Sequence, residues 1–336
     1  MLTDKKALGF KDVLISPCPS NVRSRSEVSL EREFTFKNGL TKTLVPIIAA
    51  NMANIGTFKV AKILSKYKML TCLVKTMPVE AYATNFHTYP EIIPYVAVTV
   101  GLHENNYLEA VMKAAPVEFI CLDVANGYME QFVHFVLQIK AEYPNHVVIA
   151  GNVATREGAD RLYEAGADIV KVGIGSGSVC TTRYKTGVGV PQISAIDDCM
   201  ADTTMMTTYM CSDGGCTNPG DVAKAFVAGA DFVMLGGMLA DTTETGPVFN
   251  GSAFEPLCGD RGKATDHNRD YKTSEGKRVI FDHTQGSTPL DDRIRGILGG
   301  LRSTGAYIGQ NKIENFYKAD LIQVTEQTND WLGGPR

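Results

Sequence analysis

The sequence predicts an α/β fold, a closed (β/α)8 TIM barrel built as a single domain over residues 1–336. Short apolar runs rich in β-branched residues alternate with segments of helical periodicity from residue 44 onward, and each pair takes roughly 25 to 35 residues, as a strand-plus-helix unit does. The segment AGADIVKVG at 165–173 recurs as AGADFVMLG at 228–236. Eight such units favour a barrel over a doubly wound open sheet, whose G-x-G-x-x-G fingerprint the sequence lacks.

Each predicted strand is a short apolar run bounded by polar or glycine-containing segments. All strands of such a barrel run in the same direction, so their carboxyl ends meet at one face, where these barrels carry their functional residues. The eight strands are predicted at residues 44–51, 69–75, 95–101, 118–124, 147–153, 169–175, 208–213 and 232–238.

The helices between the strands carry their own signals. Apolar residues at the spacing of one helix face predict a helix over 129–143, and they are Phe132, Phe135, Val136 and Ile139. Asn218 followed by Pro219 predicts a helix start, because asparagine caps the first turn and proline fits its first position, and Gly229 predicts the end. A final helix is predicted at residues 291–305.

Residues 241–289 form a long insertion between the eighth strand and the final helix. The insertion is rich in glycine, aspartate, threonine and charged residues, and it is too polar to form a core. Long loops in compact domains are usually functional or disordered. Because this one follows the carboxyl end of a barrel strand, we predict that it is a lid over that face.

The composition excludes several classes of protein. With 44% apolar and 21% charged residues the chain can bury a large core, which excludes disordered and fibrous proteins. No apolar run is long enough to span a membrane and the first residues are polar, which predicts a cytoplasmic protein. The formal charge of −4 offers no general basic field for nucleic acid. The 8 cysteines contain no CxxC pair, which disfavours a disulfide scaffold or a zinc site.

Cys180 is the candidate nucleophile. It lies in VGIGSGSVCTTR at 172–183, in a glycine-rich loop beyond the sixth strand, so its thiol can reach the mouth of the barrel. Nucleophilic attack requires a thiolate, and Arg183 or nearby backbone dipoles would favour that charged form. From spacing alone, a buried cysteine that only packs in the core is the alternative.

Glycine pairs follow the last two predicted strands, in SDGG at 212–215 and LGGM at 235–238. Barrels of this kind often bind phosphate at this place through backbone N–H groups. The carboxylate of Asp213 would accept hydrogen bonds from the hydroxyls of a ribose. The pattern therefore indicates a phosphate and ribose site, although tight turns would also use glycine.

Other residues leave alternative functions open. Lys171 lies inside the sixth strand, where it could form a Schiff base with a carbonyl substrate, which would make the protein a lyase. GDRGK at 259–263 lacks the spacing of a P-loop and follows no strand. A nucleotide-binding protein without catalytic activity is a further alternative, because a fold does not by itself establish an activity.

Motifs along essentially the whole chain resemble the IMP dehydrogenase and GMP reductase family, and within it the GMP reductase branch. They are DVANGY at 123–128, GNV at 151–153, the loop 175–183, TGVG at 186–189, SDGG at 212–215 and residues 219–225. The chain length agrees with this branch, which lacks the regulatory domain inserted in most IMP dehydrogenases. The resemblance implies an oxidoreductase of purine metabolism on a TIM barrel.

The activity that the resemblance implies is the NADPH-dependent reductive deamination of GMP to IMP and ammonia. Cys180 would attack C2 of the guanine ring, ammonia would leave, and hydride from NADPH would resolve the covalent thioimidate. An amine is a poor leaving group unless it is protonated, so proton donors are needed beside the nucleophile. The threonine and the glutamate that do this in the family match Thr182 and Glu275.

The resemblance also implies the binding residues and a homotetramer. The purine nucleotide would contact Asp213, Gly214, Gly215, Gly236, Gly237, Gly259, Asp260, Arg261, Ser274 and Gly276. NADPH would contact Ser24, Arg25, Lys75, Asp123, Val124, Ala125, Ile174, Gly175, Tyr271, Lys272, Ser303, Thr304, Gly305 and Ala306. A potassium ion would be held by the backbone carbonyl groups of Gly175, Gly177, Cys180 and Arg183.

Departures from the family pattern leave the substrate open. Asn51-Met-Ala53 stands where the family has Asn-Met-Asp, which removes a carboxylate, and Ser176 stands where it has proline. The phosphate clamp Gly-Met-Ser is Gly259-Asp-Arg261 here, so an aspartate would face the phosphate unless the arginine beside it offsets the charge. The same chemistry on a deoxy or modified purine nucleotide is therefore one alternative. IMP dehydrogenase is another, disfavoured because its Arg-Tyr pair is interrupted as Arg269-Asp-Tyr271.

Overall fold

The computed structural model describes residues 6–200, 208–245 and 288–325. Within them, eight parallel strands close into a barrel in the order of the chain, which confirms the predicted (β/α)8 fold. Each of the eight barrel strands lies inside a predicted segment, and several are shorter than predicted because their ends turn into the loops. The barrel strands are β4 (Ile47–Ala49), β5 (Leu70–Cys72), β6 (Val96–Val100), β7 (Phe119–Asp123), β8 (Val147–Val153), β9 (Ile169–Val172), β10 (Tyr209–Asp213) and β11 (Phe232–Leu235).

Most of the helices pack around the barrel and cover its outer face, while the short helix Thr182–Thr186 belongs to the loop after β9. They are α1 (Phe58–Leu64), α2 (Val79–Thr88), α3 (Asn105–Ala114), α4 (Glu130–Glu142), α5 (Arg156–Glu164), α6 (Thr182–Thr186), α7 (Gln192–Met200), α8 (Pro219–Val227) and α9 (Leu290–Tyr307). None of the helices within the described ranges is both long and apolar enough to cross a membrane.

The helix signals in the sequence are confirmed. The four apolar residues predicted to form one face of α4 are all buried. The side chain of Asn218 caps α8 by accepting a hydrogen bond from the backbone N–H of Asp221, and Gly229 beyond the helix end has a φ of 109°. These caps satisfy backbone groups that the helix itself leaves unpaired. The final helix α9 begins one residue earlier and ends two residues later than predicted.

An antiparallel hairpin that the sequence analysis did not predict closes the amino-terminal end of the barrel. Its strands are β2 (Arg32–Thr35) and β3 (Thr41–Leu44). Phe34 stacks on Phe232, the first residue of β11, with ring centroids 4.3 Å apart. Phe36 meets Phe119, the first residue of β7, edge-on at 5.8 Å. The hairpin therefore inserts aromatic rings into the end of the barrel opposite the mouth.

The two ends of the predicted lid meet at the barrel. The backbone N–H of Thr243 donates to the carbonyl oxygen of Thr288 at 3.1 Å, and the N–H of Leu290 donates to Glu244 Oε2 at 2.8 Å. The chain thus leaves β11 and returns to α9 at neighbouring points. Residues 246–287 between them lie outside the described part of the chain. A second small sheet pairs β1 (Val13–Ile15) with β12 (Leu321–Gln323) in antiparallel fashion.

The aromatic closure gives a test of stability. Phe34 is fully buried, so replacing it with alanine removes its ring contacts and leaves a cavity. We expect Phe34→Ala to lower the free energy of unfolding by about 3–5 kcal/mol in a urea titration. Tyr317→Ala is the control, because Tyr317 is 60% exposed and its loss should change stability by less than about 0.5 kcal/mol. Equal urea midpoints for the two variants would show that the hairpin does not hold the barrel closed.

Candidate active site

The loop after β9 lies across the carboxyl end of β10. A Cβ atom added at Gly173 would lie 2.0 Å from the carbonyl oxygen of Asp213, and one added at Gly214 would lie 3.1 Å from the backbone nitrogen of Gly177. The hydroxyl of Ser176 donates to the same carbonyl of Asp213 at 3.3 Å. A side chain at either of the two glycines would push the loop away from the strand. The glycines therefore allow the loop to carry its chemistry directly over the barrel mouth.

The structure brings the predicted nucleophile and one predicted proton-transfer residue together. Cys180 is half-buried, and its thiol donates a hydrogen bond to Thr182 Oγ1 at 3.1 Å. Thr182 is the first residue of α6 and is only 6% exposed, so its hydroxyl is held in place. A hydroxyl so placed can accept the thiol proton and pass a proton to a group bound at the mouth.

Arg183 shapes the loop from within. Its Nε donates to the carbonyl oxygen of Gly175 at 2.6 Å. A Cβ atom would lie 2.6 Å from the Arg183 side chain if added at Gly175 and 2.5 Å if added at Gly189. The side chain thus passes between two glycines, both with positive φ. Its hydrogen bond in this structure holds the backbone of the loop.

Three of the four carbonyl groups predicted to hold a cation accept hydrogen bonds from protein donors. Gly175 accepts from Arg183 as described, Gly177 accepts from the N–H of Cys180 at 3.0 Å, and Arg183 accepts from the N–H of Gly187 at 3.1 Å. A carbonyl oxygen has two lone pairs, so one hydrogen bond leaves room for a second partner. The donor set is made of hard neutral oxygens, which suit an ion such as K⁺.

The glycine pairs after β10 and β11 meet the same loop. A Cβ atom added at Gly237 would lie 2.8 Å from the hydroxyl of Ser178, and one added at Gly236 would lie 2.6 Å from the sulfur of Met52, beyond β4. Gly215 lies against the ring of Phe10, with 3.1 Å to an added Cβ atom. The missing side chains at these glycines therefore let the Cys180 loop, Met52 and Phe10 pack closely against the ends of β10 and β11.

Asp213, the predicted ribose acceptor, is held by one of its two oxygens. Its Oδ2 accepts from Asn152 Nδ2 at 2.8 Å and from Lys171 Nζ at 3.4 Å. Within residues 6–200, 208–245 and 288–325, Oδ1 accepts no hydrogen bond. The side chain is 22% exposed. One carboxylate oxygen is thus fixed inside the barrel while the other remains for a ligand.

Lys171 is buried in the barrel and cannot form a Schiff base in this state. Its Nζ lies 2.5 Å from Asp123 Oδ1 and 2.8 Å from Asn152 Oδ1, in addition to its contact with Asp213. Burial lowers the pKa of Lys171, but the carboxylates of Asp123 and Asp213 raise it by more, so it lies well above its ordinary value. A protonated ammonium has no lone pair for attack on a carbonyl. The lyase alternative is therefore wrong for this lysine.

The predicted cofactor residues fall into two groups. One lies at the barrel mouth, where Lys75 Nζ contacts both the carbonyl oxygen of Asp123 at 2.7 Å and its Oδ2 at 3.1 Å. The other lies on the outside, where the exposed Ser24 and Arg25 begin a short 3-10 helix that packs against α9. A Cβ atom added at Gly305, near the end of α9, would lie 2.7 Å from Val28, so the segment 303–306 belongs to this outer group.

Residues 7–330 match the IMP dehydrogenase / GMP reductase domain. The chain belongs to this family. It is 45% identical to GMP reductase 1 of Mus musculus, with 97% of each chain covered. It is 46% identical to GMP reductase 1 of Homo sapiens, with 96% of each covered, and 44% identical to GMP reductase of Aeromonas hydrophila, with 97% of each covered. The family resemblance inferred from the motifs is confirmed.

Several predicted site residues of this family member lie outside the described part of the chain. They include the predicted proton donor and residues assigned to the nucleotide and the cofactor: Gly259, Asp260, Arg261, Tyr271, Lys272, Ser274, Glu275 and Gly276. Their roles stay predictions. The described residues include the candidate nucleophile Cys180, its hydrogen-bond partner Thr182 and the glycines at the barrel mouth.

Sequence reasoning missed the ion network inside the mouth. Asn152 was part of a recognised motif but received no role, and Lys171 was interpreted as a possible nucleophile. The available signal was the occurrence of a lysine in the otherwise apolar run IVKV of β9. A charge in a strand of a closed barrel needs an opposite charge within the barrel.

The close approach of the loop to β10 can be tested with two glycine variants. Gly214 and Gly39 both have positive φ, of 96° and 81°, but a Cβ atom meets the loop only at Gly214 and nothing within 4 Å at Gly39. Alanine at either position should cost about 1 kcal/mol of stability. We expect only Gly214→Ala to increase hydrogen–deuterium exchange in residues 174–180. Equal exchange in both variants would contradict the packing described.

Proposed function

We propose that this chain catalyses the reductive deamination of GMP to IMP and ammonia, with NADPH as reductant. Family membership supports the reaction class, and the similarity over nearly the full length to proteins named GMP reductase supports the substrate. The structural observation that carries the proposal is the hydrogen bond between the Cys180 thiol and Thr182 at the barrel mouth. The pair supplies a nucleophile and a proton relay in one short segment.

The chemistry begins at Cys180. The Cys180 thiol donates its proton to the Thr182 hydroxyl, which passes its own proton on toward the exocyclic amine, as the sulfur attacks C2 of the guanine ring and a C–S bond forms. The amine must be fully protonated before the C–N bond breaks and ammonia leaves, which is the task assigned to Thr182 and Glu275. When bound, NADPH would supply the hydride that forms the new bond at C2 as the C–S bond breaks, which gives IMP and a Cys180 thiolate that takes up a proton to restore the thiol.

The nucleotide is held by the strand ends. The free Oδ1 of Asp213 accepts hydrogen bonds from the ribose hydroxyls, and the backbone N–H groups at Gly214, Gly215, Gly236 and Gly237 take the phosphate. The support for this assignment is the position of these glycines directly after the last two barrel strands, where backbone N–H groups of such barrels commonly bind phosphate. The segments around 259–261 and 274–276 complete the contacts with phosphate and base.

Lys75, which contacts Asp123, would hold part of NADPH at the barrel mouth, together with Asp123, Val124, Ala125, Ile174 and Gly175. The rest of the cofactor would be contacted by a second set of residues, which are Ser24, Arg25, Tyr271, Lys272, Ser303, Thr304, Gly305 and Ala306. The exposed guanidinium of Arg25 suits an anionic phosphate, which favours NADPH over NADH. A monovalent cation, K⁺, is held by the carbonyl groups of the Cys180 loop, and the enzyme is a homotetramer.

The chain works as one domain, with residues 241–289 as a lid over the mouth. The support for this proposal is the pairing of the two ends of the insertion, Thr243 with Thr288 and Glu244 with Leu290. This pairing fixes where the lid is attached. Closing a lid excludes water, which protects a covalent intermediate from hydrolysis.

The activity is tested by following NADPH absorbance and ammonia release together, with GMP as substrate. We expect one ammonia for each NADPH oxidised by the natural chain and none by Cys180→Ala, because the variant lacks the nucleophile. Cys18→Ala is the matched control, since Cys18 is also half-buried but its thiol donates to the backbone carbonyl oxygen of Ser16 instead of to a side-chain hydroxyl.

Three outcomes would overturn the assignment. Turnover by Cys180→Ala would remove the covalent step. Oxidation of IMP with NAD⁺ in place of GMP reduction would make the chain an IMP dehydrogenase. Faster turnover of dGMP or another purine nucleotide than of GMP would show that the changed segment 259–261 has altered the substrate.

The role of Thr182 is tested with a hydroxyl deletion. Thr182→Val should lower kcat by about 100- to 10,000-fold with little change in the KM for GMP, because the hydroxyl moves protons and does not bind the nucleotide. Thr186→Val is the control, since Thr186 belongs to the same helix and its hydroxyl donates to the backbone carbonyl of Thr182. Similar losses of kcat in both variants would indicate a general disturbance of α6.

A further inference from the structure

A deeply buried lysine links two strand ends of the proposed site. Lys171 is 1% exposed, and its ammonium contacts Asp123 at the end of β7 and Asp213 at the end of β10. These carboxylates are 48 and 42 residues away in sequence. An ammonium without partners at this depth would cost several kcal/mol, so the three charges form one unit.

The two carboxylates depend on Lys171 to different degrees. Asp123 has a second cation, because Lys75 Nζ lies 3.1 Å from its Oδ2. For Asp213, Lys171 is the one cation within 4 Å in the described ranges. Removing the Lys171 charge therefore leaves Asp123 with an ion pair and Asp213 with none.

Asn152 adds a second constraint on Asp213. Its side-chain oxygen accepts from Lys171 at 2.8 Å, and its side-chain nitrogen donates to Asp213 Oδ2 at 2.8 Å and to the carbonyl oxygen of Gly173 at 2.8 Å. Asn152 is thereby held at both ends of its amide. Two donors converge on a single carboxylate oxygen, and this fixes the plane of the carboxylate and the direction of Oδ1.

We propose that Lys171 is a positioning residue which, together with Asn152, holds the Asp213 carboxylate so that its free oxygen selects nucleotides with ribose hydroxyls. The inference rests on the proposed function, since it takes Asp213 as the ribose acceptor. It adds that selectivity for the sugar is set from inside the barrel, by a lysine that never touches the substrate. The buried cation also keeps Asp213 from repelling the anionic nucleotide.

The experiment measures binding, by calorimetry, of GMP and of 2′,3′-dideoxy-GMP to the full chain. A hydrogen bond from a hydroxyl to a carboxylate is worth about 10- to 100-fold in affinity, and the natural chain should prefer GMP by that factor. Lys171→Met should bind GMP more weakly and lose most of the preference. Lys171→Arg keeps the charge and should restore part of it.

Lys75→Met serves as the matched control. It also removes an ammonium from the network, but one that contacts Asp123 and not Asp213. We expect this variant to keep the full preference for GMP over the dideoxy nucleotide and to bind NADPH more weakly. A purely structural role for Lys171 would lower the affinity for both nucleotides equally and leave their ratio unchanged, and that result would overturn the proposal.

Asn152→Ala covers the case in which Lys171→Met does not fold. It leaves the buried cation paired but removes one of the two donors to Asp213, so it should reduce the preference for GMP. An unchanged preference in this variant would overturn the proposal.

Failure of the proposed function is distinguishable from failure of this inference. A natural chain that binds GMP in preference to the dideoxy nucleotide but does not reduce it would refute the function and still allow the test of Lys171. A natural chain that reduces GMP but binds both nucleotides equally would keep the function and refute the inference.

Discussion

The side chains that fill the closed barrel change from aromatic to charged along its axis, and the proposed site depends on the charged end. At the amino-terminal end the interior is filled by the rings of Phe34 and Phe232. In the middle it holds small buried side chains, including Cys72 and Cys211. Burial raises the pKa of the Cys211 thiol well above its ordinary value, so this cysteine stays neutral. At the mouth the filling is the Lys171 ion network. Because water is excluded below, charge can enter only as a set of matched partners.

This arrangement explains why the loop that carries Cys180 is rich in glycine. The polar interior ends at Asp213, whose backbone carbonyl is touched by Gly173 and Ser176. The loop crosses this point, packs the Arg183 side chain against its own backbone and carries Cys180. Side chains at the first two glycines of this loop would collide with the strand or with Arg183. The sequence GIGSG avoids these collisions, and the serine that stands where the family has proline makes a hydrogen bond to the strand that proline could not make.

The sequence predicted the parts of the fold that depend on local patterns. Buried parallel strands give short continuous apolar runs, so all eight barrel strands fell inside predicted segments. The hairpin β2–β3 was missed because Phe34 and Phe36 alternate with charged and polar residues in a segment before the repeating units. For the site, Cys180 and Thr182 are two residues apart and could be paired by inspection. Lys171, Asp123 and Asp213 converge only because the barrel closes, and no local pattern contains that information.

The ion network also decides what is left to bind a phosphate. The carboxylates of Asp123 and Asp213 are matched by the ammonium groups of Lys75 and Lys171, so the described strand ends carry no surplus of either sign. In the proposed function, an anionic nucleotide would therefore meet no unmatched carboxylate at Asp123 or Asp213. Its phosphate would then be bound by neutral donors, for which we proposed the backbone N–H groups at the glycines after β10 and β11. In this proposal, the balanced charge inside the barrel is the reason that phosphate binding depends on the glycine backbone at the barrel mouth.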